Sequence, residues 1–404
     1  MSNTNSLIFE EYNDPELIGY SHSQNGEAWK GILSLEDYAA REWTLGQSSI
    51  AQKQKSPEIQ EKFPDCYQNL GIKYFMLKDL NLEATSKTSQ IVSSCETLNR
   101  IGYCIRPGTN NTIEPSLVVC IGGVFTPEMH RRNGYARVMI EKLNQHYDKI
   151  RDSPNAPPLL KNLVINLYSE VDEYYEKVGY YSLHVPLHHV TALDEFNEKF
   201  CNGYAMEQND SGRLLGYDNY EDLVKLQDIE FKKNLLASAK AHPDSFVFTV
   251  APDIDIYKWF EDRDIFIQRK ITPNGSVKIP PFGYALKDNS HIIWHHNWNN
   301  NLLVIIKLYI SEDAKKEKKK EEKVLRELMF YAIEETKAHN LTKLQFWDEE
   351  LPLKEFPTLQ NTLSKLEHES KLYATNGSVS AVRPPIGFNK DTIVWENNTK
   401  FCWF

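Results

Sequence analysis

A chain of 404 residues with 41% hydrophobic content is long enough to bury two cores, and two domains are expected. Its 46 Lys and Arg against 56 Asp and Glu leave a net charge of -10, which argues against a general affinity for nucleic acid or an anionic membrane. Any anion site must therefore be local. The opening stretch MSNTNSLIFEEYNDPEL lacks the basic patch and apolar run of a secretory signal, and no later stretch approaches the roughly 18 apolar residues of a membrane span. A soluble protein of the cytoplasm or nucleus, without nucleic-acid or membrane partners, is predicted.

In chain order, SLIFEEY reads as a strand, and SLEDYAAREWTLGQ as a helix opened by a capping-box pattern at Ser34. IKYFMLKD and QIVSSCETLNRIGYCI are β-rich, and PGTNNTIEP is the loop between two antiparallel strands. SLVVCIGGVFT is a buried strand weakened at Gly122 and Gly123, where a bulge or a close backbone approach is expected. YARVMIEKLNQHY has Val138, Ile140 and Leu143 at helical spacing; NLVINLYS is the next strand, VDEYYEKVGY a helix stopped by Gly179, and YYSLHVPLHHV a strand. These elements predict a mixed α/β sheet with crossover helices.

The second half repeats the theme loosely. EDLVKLQDIEFKKNLLASAKA is helical, SFVFTVAP and DIFIQRK are strand-like, and PFGYALKD, SHIIWHHNW and NLLVIIKLYI form a meander. VLRELMFYAIEETKAHN is a helix and KLQFWDEE a strand, while the charge run SEDAKKEKKKEEK stands where the first half has its glycine loop. Six cysteines, Cys66, Cys95, Cys104, Cys120, Cys201 and Cys402, are scattered without a CxxC pair, which fits reduced thiols better than a disulfide or zinc framework.

The stretch GGVFTPEMHRRNGYARVMIEKL places glycines and arginines just before a helix. A phosphate-bearing ligand on the helix N-terminus, where unpaired N–H groups and the positive end of the macrodipole converge, is one reading. An ordinary strand-to-helix turn is the other. The loop Arg131-Arg132-Asn133-Gly134-Tyr135-Ala136 resembles the [Q/R]-x-x-G-x-[G/A] cofactor loop of the GNAT acetyltransferase superfamily, and YYEKVGY, 174 to 180, resembles a second motif of that family. A narrower likeness, carried by SSCETLNR, VFTPEMHRRNGYA, PDIDIYKWFEDRDIF and WENNTKFCWF, is to the fungal lysine N6-acetyltransferases. Arg132 and Asn133 depart from that subfamily's usual glycine and basic residue, but neither change removes a backbone N–H.

The resemblance implies a GNAT acetyltransferase domain over 1–195, followed by a degenerate GNAT-like domain over 196–404. It implies acetyl-CoA as cofactor, its pyrophosphate on the amides of the 131–136 loop and its pantetheine arm on the backbone of Val124 and Phe125, where this family's strand splays from its neighbour. Tyr175 is the implied general acid toward the leaving thiolate, with Tyr174 the competing assignment. The acceptor is a small primary amine, free L-lysine by family likeness. A lysine-type ammonium, pKa about 10.4, is neutral in only about one molecule in 2,500 at pH 7, a handicap of about 4.6 kcal/mol that a base, desolvation or positioning must offset.

SLVVCIGGVF holds no carboxylate, which leaves Glu96, Glu170, His188 and His189 as base candidates. In some tandem acetyltransferases the terminal carboxylate is the base, which makes Phe404 of the apolar ending FCWF a further candidate; the alternative makes KFCWF a final strand of the second domain. No metal ligand is assigned. The runs HVPLHHV and HIIWHHNW carry HxxxH spacing, but on a strand these positions lie roughly 13 Å apart, too far to share one ion. A protein or peptide acetyltransferase, and a catalytically silent acyl-CoA-binding sensor or scaffold, are the competing functional readings.

Overall fold

The computed structural model describes residues 6–201, 212–272 and 278–404. Strand β1 (Leu7–Tyr12) leads through helices α1 (Pro15–Trp29), α2 (Leu35–Leu45) and α3 (Pro57–Lys62) into a meander of β2 (Gly71–Asp79), β3 (Ile91–Ile105) and β4 (Glu114–Phe125). Helices α4 (Tyr135–Arg151) and α5 (Pro158–Lys161) cross to β5 (Val164–Ser169), followed by β6 (Tyr181–Leu183), β7 (Leu187–Val190) and α6 (Leu193–Lys199). Beyond them come β8 (Gly212–Leu215), α7 (Glu221–Ala241), β9 (Phe246–Val250) and α8 (Ile254–Ile271). A second meander, β10 (Gly283–Leu286), β11 (His291–Asn297) and β12 (Leu302–Tyr309), leads through α9 (Glu312–Lys315) and α10 (Lys318–Ala338) to β13 (Lys343–Trp347). Helix α11 (Pro357–Leu366), β14 (Val379–Arg383) and β15 (Ile393–Trp395) complete the described elements.

Both halves build the same unit: an antiparallel meander, a crossover helix, and a strand returning parallel to the last meander strand. In the first, β4 pairs in parallel with β5; in the second, β12 pairs in parallel with β13. The sheets then exchange strands. The place beside β5 is filled by β14, and the place beside β13 by β7. Strands β9 and β15 also join the first sheet, through β3. Each sheet thus takes strands from both sides of residue 195.

Strand β4 shows why the sequence is apolar without alternation. Leu117, Val119 and Ile121 enter a core with Met139, Ile140, Leu143 and Tyr147 of α4, while Val118 and Cys120 enter another with Phe248, Trp259 and Phe401. Successive side chains point to opposite faces, and both faces are covered. The second sheet packs against α10 through Leu325, Leu328, Met329 and Ile333. All six cysteines are buried and unpaired, and no described helix is long and apolar enough to cross a membrane.

Three expectations are corrected. DIFIQRK is not a strand but the end of α8, which starts where the Asp253 side chain accepts from the Asp255 amide and buries Ile256, Phe260 and Ile267 at helical spacing. The helix expected at VDEYYEKVGY is a single 3-10 turn, Tyr174–Val178, ended by Gly179 at φ 93°. The ending KFCWF is not a final strand of the second domain: Lys400–Cys402 form a 3-10 turn packed between the two sheets, against β12 on one side and, on the other, with the Arg100 guanidinium donating to the Phe401 carbonyl at 3.2 Å.

Candidate active site

The site begins with a pairing failure in β4. Its parallel ladder with β5 runs from Val118 to Ile121 and no further, and on the other side the register with β3 slips between Ser94 and Glu96. The bulge frees the backbone after Ile121 to turn from β5. Gly122 to Phe125 line a cavity of about 550 Å³. The two glycines matter there for different reasons. Gly123 has φ 57°, and a Cβ on Gly122 would lie 2.8 Å from the Phe404 ring.

The loop after β4 makes one 3-10 turn, Glu128–His130, then enters left-handed backbone at Arg132 (φ 66°) and at Gly134 (φ 79°), the N-cap of α4. No side chain caps this helix. Its first-turn amides have no intrahelical acceptor either, and together with the preceding left-handed residue they form an anion-accepting concavity. A Cβ on Gly134 would meet nothing within 4 Å, so its backbone angle, rather than crowding within the chain, demands glycine. Arg131 and Ala136 line the cavity, and the loop between them carries the intervening amides. Arg131 has no carboxylate partner among the described residues; its Nε donates to the Thr126 carbonyl at 3.1 Å and the guanidinium lies over the Phe125 ring. Two loop side chains are anchors: Asn133 donates to the His130 carbonyl at 3.1 Å, and Tyr135, buried, donates to Asp79 at 2.7 Å.

Tyr174 and Tyr175 both line the same cavity. Tyr175 is buried and its phenol pushed well above its usual range, by burial first and then by Cys95, Tyr174 and Glu170, so it stays protonated. Its hydroxyl has no hydrogen-bond partner among the described residues. Of the base candidates, Glu96 and Glu170 line the cavity. Glu96 stands opposite Gly122 with its carboxylate 3.8 Å from His22 Nε2, whereas Glu170 is exposed and accepts from the Trp29 indole at 2.8 Å. His188 and His189 belong elsewhere. They sit on β7 in the second sheet, His188 Nε2 lying 2.8 Å from Asp348, and neither reaches the cavity. Phe404 does reach it, its ring against Gly122 and Trp259.

Helices α1, α2 and α8 supply lining residues the sequence did not announce: Trp29, Tyr38, Arg41, Trp259 and Arg263. A second cavity, about 390 Å³, shares Trp29, Arg41, Glu170, Arg263 and Trp403 with the first. Its wall holds titratable groups whose charged forms burial disfavours: burial lifts the Asp264 carboxyl to about 7 and drives the Lys400 amine well below its usual value, an effect Arg263 adds to. The pair of cavities therefore joins an anion-accepting loop, a splayed strand, a protonated phenol and a carboxyl side chain to a polar chamber lined by both halves.

Residues 202–404 match the family described as LYC1 GNAT-like C-terminal domain. The uncharacterized protein YGR111W of Saccharomyces cerevisiae is 55% identical over 403 residues, covering 100% of this chain and 99% of that one. A lysine acetyltransferase of Yarrowia lipolytica is 24% identical over 337 residues, 76% of each chain. Among solved structures, a GCN5-related N-acetyltransferase from Kribbella flavida aligns with TM-score 0.48 and 12% identity, covering 95% of this chain and 72% of that one. Saccharomyces cerevisiae N-myristoyltransferase with bound myristoyl-CoA aligns with TM-score 0.47 and 11% identity, covering 97% and 87%.

Proposed function

The chain belongs to the family of the LYC1 GNAT-like C-terminal domain, and on that premise we propose an acetyl-CoA-dependent N-acetyltransferase whose acceptor is a small primary amine, L-lysine at N6. The observation that carries this reading is the convergence, on one cavity, of the uncapped α4 start, the splayed end of β4, Tyr175 and Glu96. The name of the Yarrowia relative supports lysine as acceptor. Trp259 and Arg263 of α8 and Trp403 and Phe404 add bulky side chains to the cavity wall, which favours a small acceptor over a peptide.

Acetyl-CoA supplies the activated acyl thioester. The residues fit its parts: the amides of Arg132, Asn133, Gly134, Tyr135 and Ala136 receive the diphosphate, with Arg131 adding charge, and the backbone of Val124 and Phe125 receives the pantetheine amides. Tyr175 holds the proton that the leaving sulfur requires. Glu96 takes the proton from the acceptor ammonium, offsetting part of the handicap of about 4.6 kcal/mol. A carboxylate on Phe404, whose ring lies over Gly122 beside Glu96, is the rival base. Loss of turnover in Glu96→Gln, with turnover kept when residues are appended after Phe404, assigns the role to Glu96; the opposite pair of results assigns it to Phe404.

Calorimetric titration with acetyl-CoA, followed by a thiol-release assay over free lysine, polyamines and peptides, tests the whole reading. Heat and turnover on lysine are expected. Absence of heat overturns the cofactor assignment; heat without turnover turns the reading to a silent acyl-CoA sensor, and turnover on peptides alone to a protein acetyltransferase.

A further inference from the structure

On the side of the second cavity that does not border the first, where His296 lines the wall, the end of β11 meets the last turn of α10. Here His296 Nε2 lies 2.8 Å from Glu335 Oε1, and His339 Nε2 lies 3.0 Å from the same oxygen. All three ligand atoms fall within 4.8 Å of one another, and no other such group of three is found among the described residues. Ligands about 2.1 Å from a tetrahedral zinc are about 3.4 Å apart, so these atoms need little movement to surround one ion. His296 is fully buried and Glu335 nearly so, while the His339 side chain is 24% exposed. That leaves an entry path and an open coordination position on one side.

We propose that His296, Glu335 and His339 bind a divalent transition-metal cation, with zinc the ion best matched to two imidazoles and one carboxylate. The surroundings favour positive charge. Glu335 and His339 stand at the C-terminus of α10, where the helix dipole is negative, and α10 holds them one turn apart on one face. His296 is fixed from behind: its amide donates to Asp264 Oδ2 at 2.6 Å and its ring stacks on Trp298 at 5.0 Å. Its Nδ1 has no partner. A ligating imidazole commonly donates through its second nitrogen, and lacking that bond costs about 10- to 100-fold in affinity, so a moderate rather than very tight site is expected.

The ion would pin the end of β11 to α10. The segment that follows, Asn297 to Asn300, lines the second cavity, and Asn299 accepts from the Ile32 amide at 3.3 Å in the first half of the chain. The site is thus a structural clamp on that cavity wall, and it stands or falls independently of the acetyltransferase reading. Strand spacing excludes only a site whose ligands all come from one strand; here the second and third come from the end of a helix some forty residues later.

The untagged full chain, freed of metal by chelation and dialysis, is titrated with Zn²⁺ against a chromophoric chelator and, separately, with Co²⁺. One equivalent should bind, Co²⁺ should show the intense visible absorption of a four-coordinate site, and Zn²⁺ should raise the thermal midpoint. His339→Ala, chosen because the residue is partly exposed, should weaken binding at least about 10-fold and abolish the thermal shift. Glu335→Gln, which keeps the shape of the side chain, should do the same and stands in if His339→Ala does not fold. Equal affinity of wild type and variants, or a Co²⁺ spectrum of the free aqueous ion, overturns the proposal.

Discussion

At the scale of single residues, Gly134 and Tyr175 carry different parts of the proposed chemistry, and substitutions should separate them. Gly134→Leu forces a branched side chain into left-handed backbone at a cost of about 1–2 kcal/mol, and its side chain enters the open space before the α4 amides. Loss of two charge-assisted hydrogen bonds at about 1.5 kcal/mol each predicts at least a hundredfold weaker acetyl-CoA binding, read by calorimetry. Tyr175→Phe leaves those amides untouched. It should keep cofactor affinity and lower kcat by about 10²- to 10⁴-fold; full turnover would move the acid role elsewhere. His291 makes a prediction of pH dependence. Burial pushes its imidazole down to about 4, with Nδ1 donating to the Asn289 carbonyl at 2.7 Å and Nε2 at 2.8 Å from Gln227. The unfolded chain binds the proton near pH 6.5, the folded one only near 4, so this contribution is full above pH 6.5 and is lost as pH falls through that window. At pH 5 the loss is about 2 kcal/mol, of which His291→Gln, which does not titrate, should be relieved. Urea unfolding of both proteins at pH 7 and pH 5 measures this: their stability difference must shrink at the lower pH.

At the scale of elements, the seat of the Phe404 ring beside the splayed end of β4 depends on Gly122, because a Cβ there would lie 2.8 Å from that ring. Gly122→Val should displace the Phe404 end, reshape the cavity and impair turnover more than cofactor binding, measured as a larger change in kcat than in acetyl-CoA affinity. This strand, the loop after it and α4 were legible in the sequence for local reasons. An unbroken apolar run marks a strand covered on both faces, paired glycines mark its bulge, and Val138, Ile140 and Leu143 recur with helical period, all three packing into the core beside Met139. Helices α1 and α8 were not legible. Helix α1 contains Gly19, Gly26, Ser21, Ser23 and Asn25, poor helix formers held by the Asp14 cap and by packing, and the short window DIFIQRK mimics strand alternation within a helix capped by Asp253. Because those helices bring Trp29 and Arg263 to the cavity from far along the chain, the acceptor side of the site left no local signature, whereas the cofactor side did. Glu96 is one of four base candidates in the sequence, and only its register opposite Gly122, in the cavity wall, sets it apart from His188 and His189.

For the whole molecule, the decisive feature is reciprocal strand exchange. Strand β14 lies between β5 and β6 in the first sheet, and β7 caps β13 in the second, so neither half can complete its sheet alone. Polar ties follow the exchange. Arg383 of β14 donates two hydrogen bonds, 2.8 and 2.7 Å long, to Asp148 of α4, and Lys53 pairs with Asp253 and Asp255 at the start of α8 at 2.6 and 2.8 Å. A repeat architecture without exchange can unfold one half at a time, since few contacts then cross the boundary. Here, opening the second half withdraws β14 and exposes the edge of β5, a six-residue strand with every position buried. An uncovered apolar edge of this kind is an aggregation hazard. The intact chain should therefore unfold in a single transition, with tryptophan fluorescence and far-ultraviolet circular dichroism superimposing along a urea titration. A fragment of residues 1–195 should fail to give a dispersed monomeric spectrum and should associate. Two resolved transitions, or a folded monomeric fragment, would show that the halves are energetically separable despite the exchanged strands.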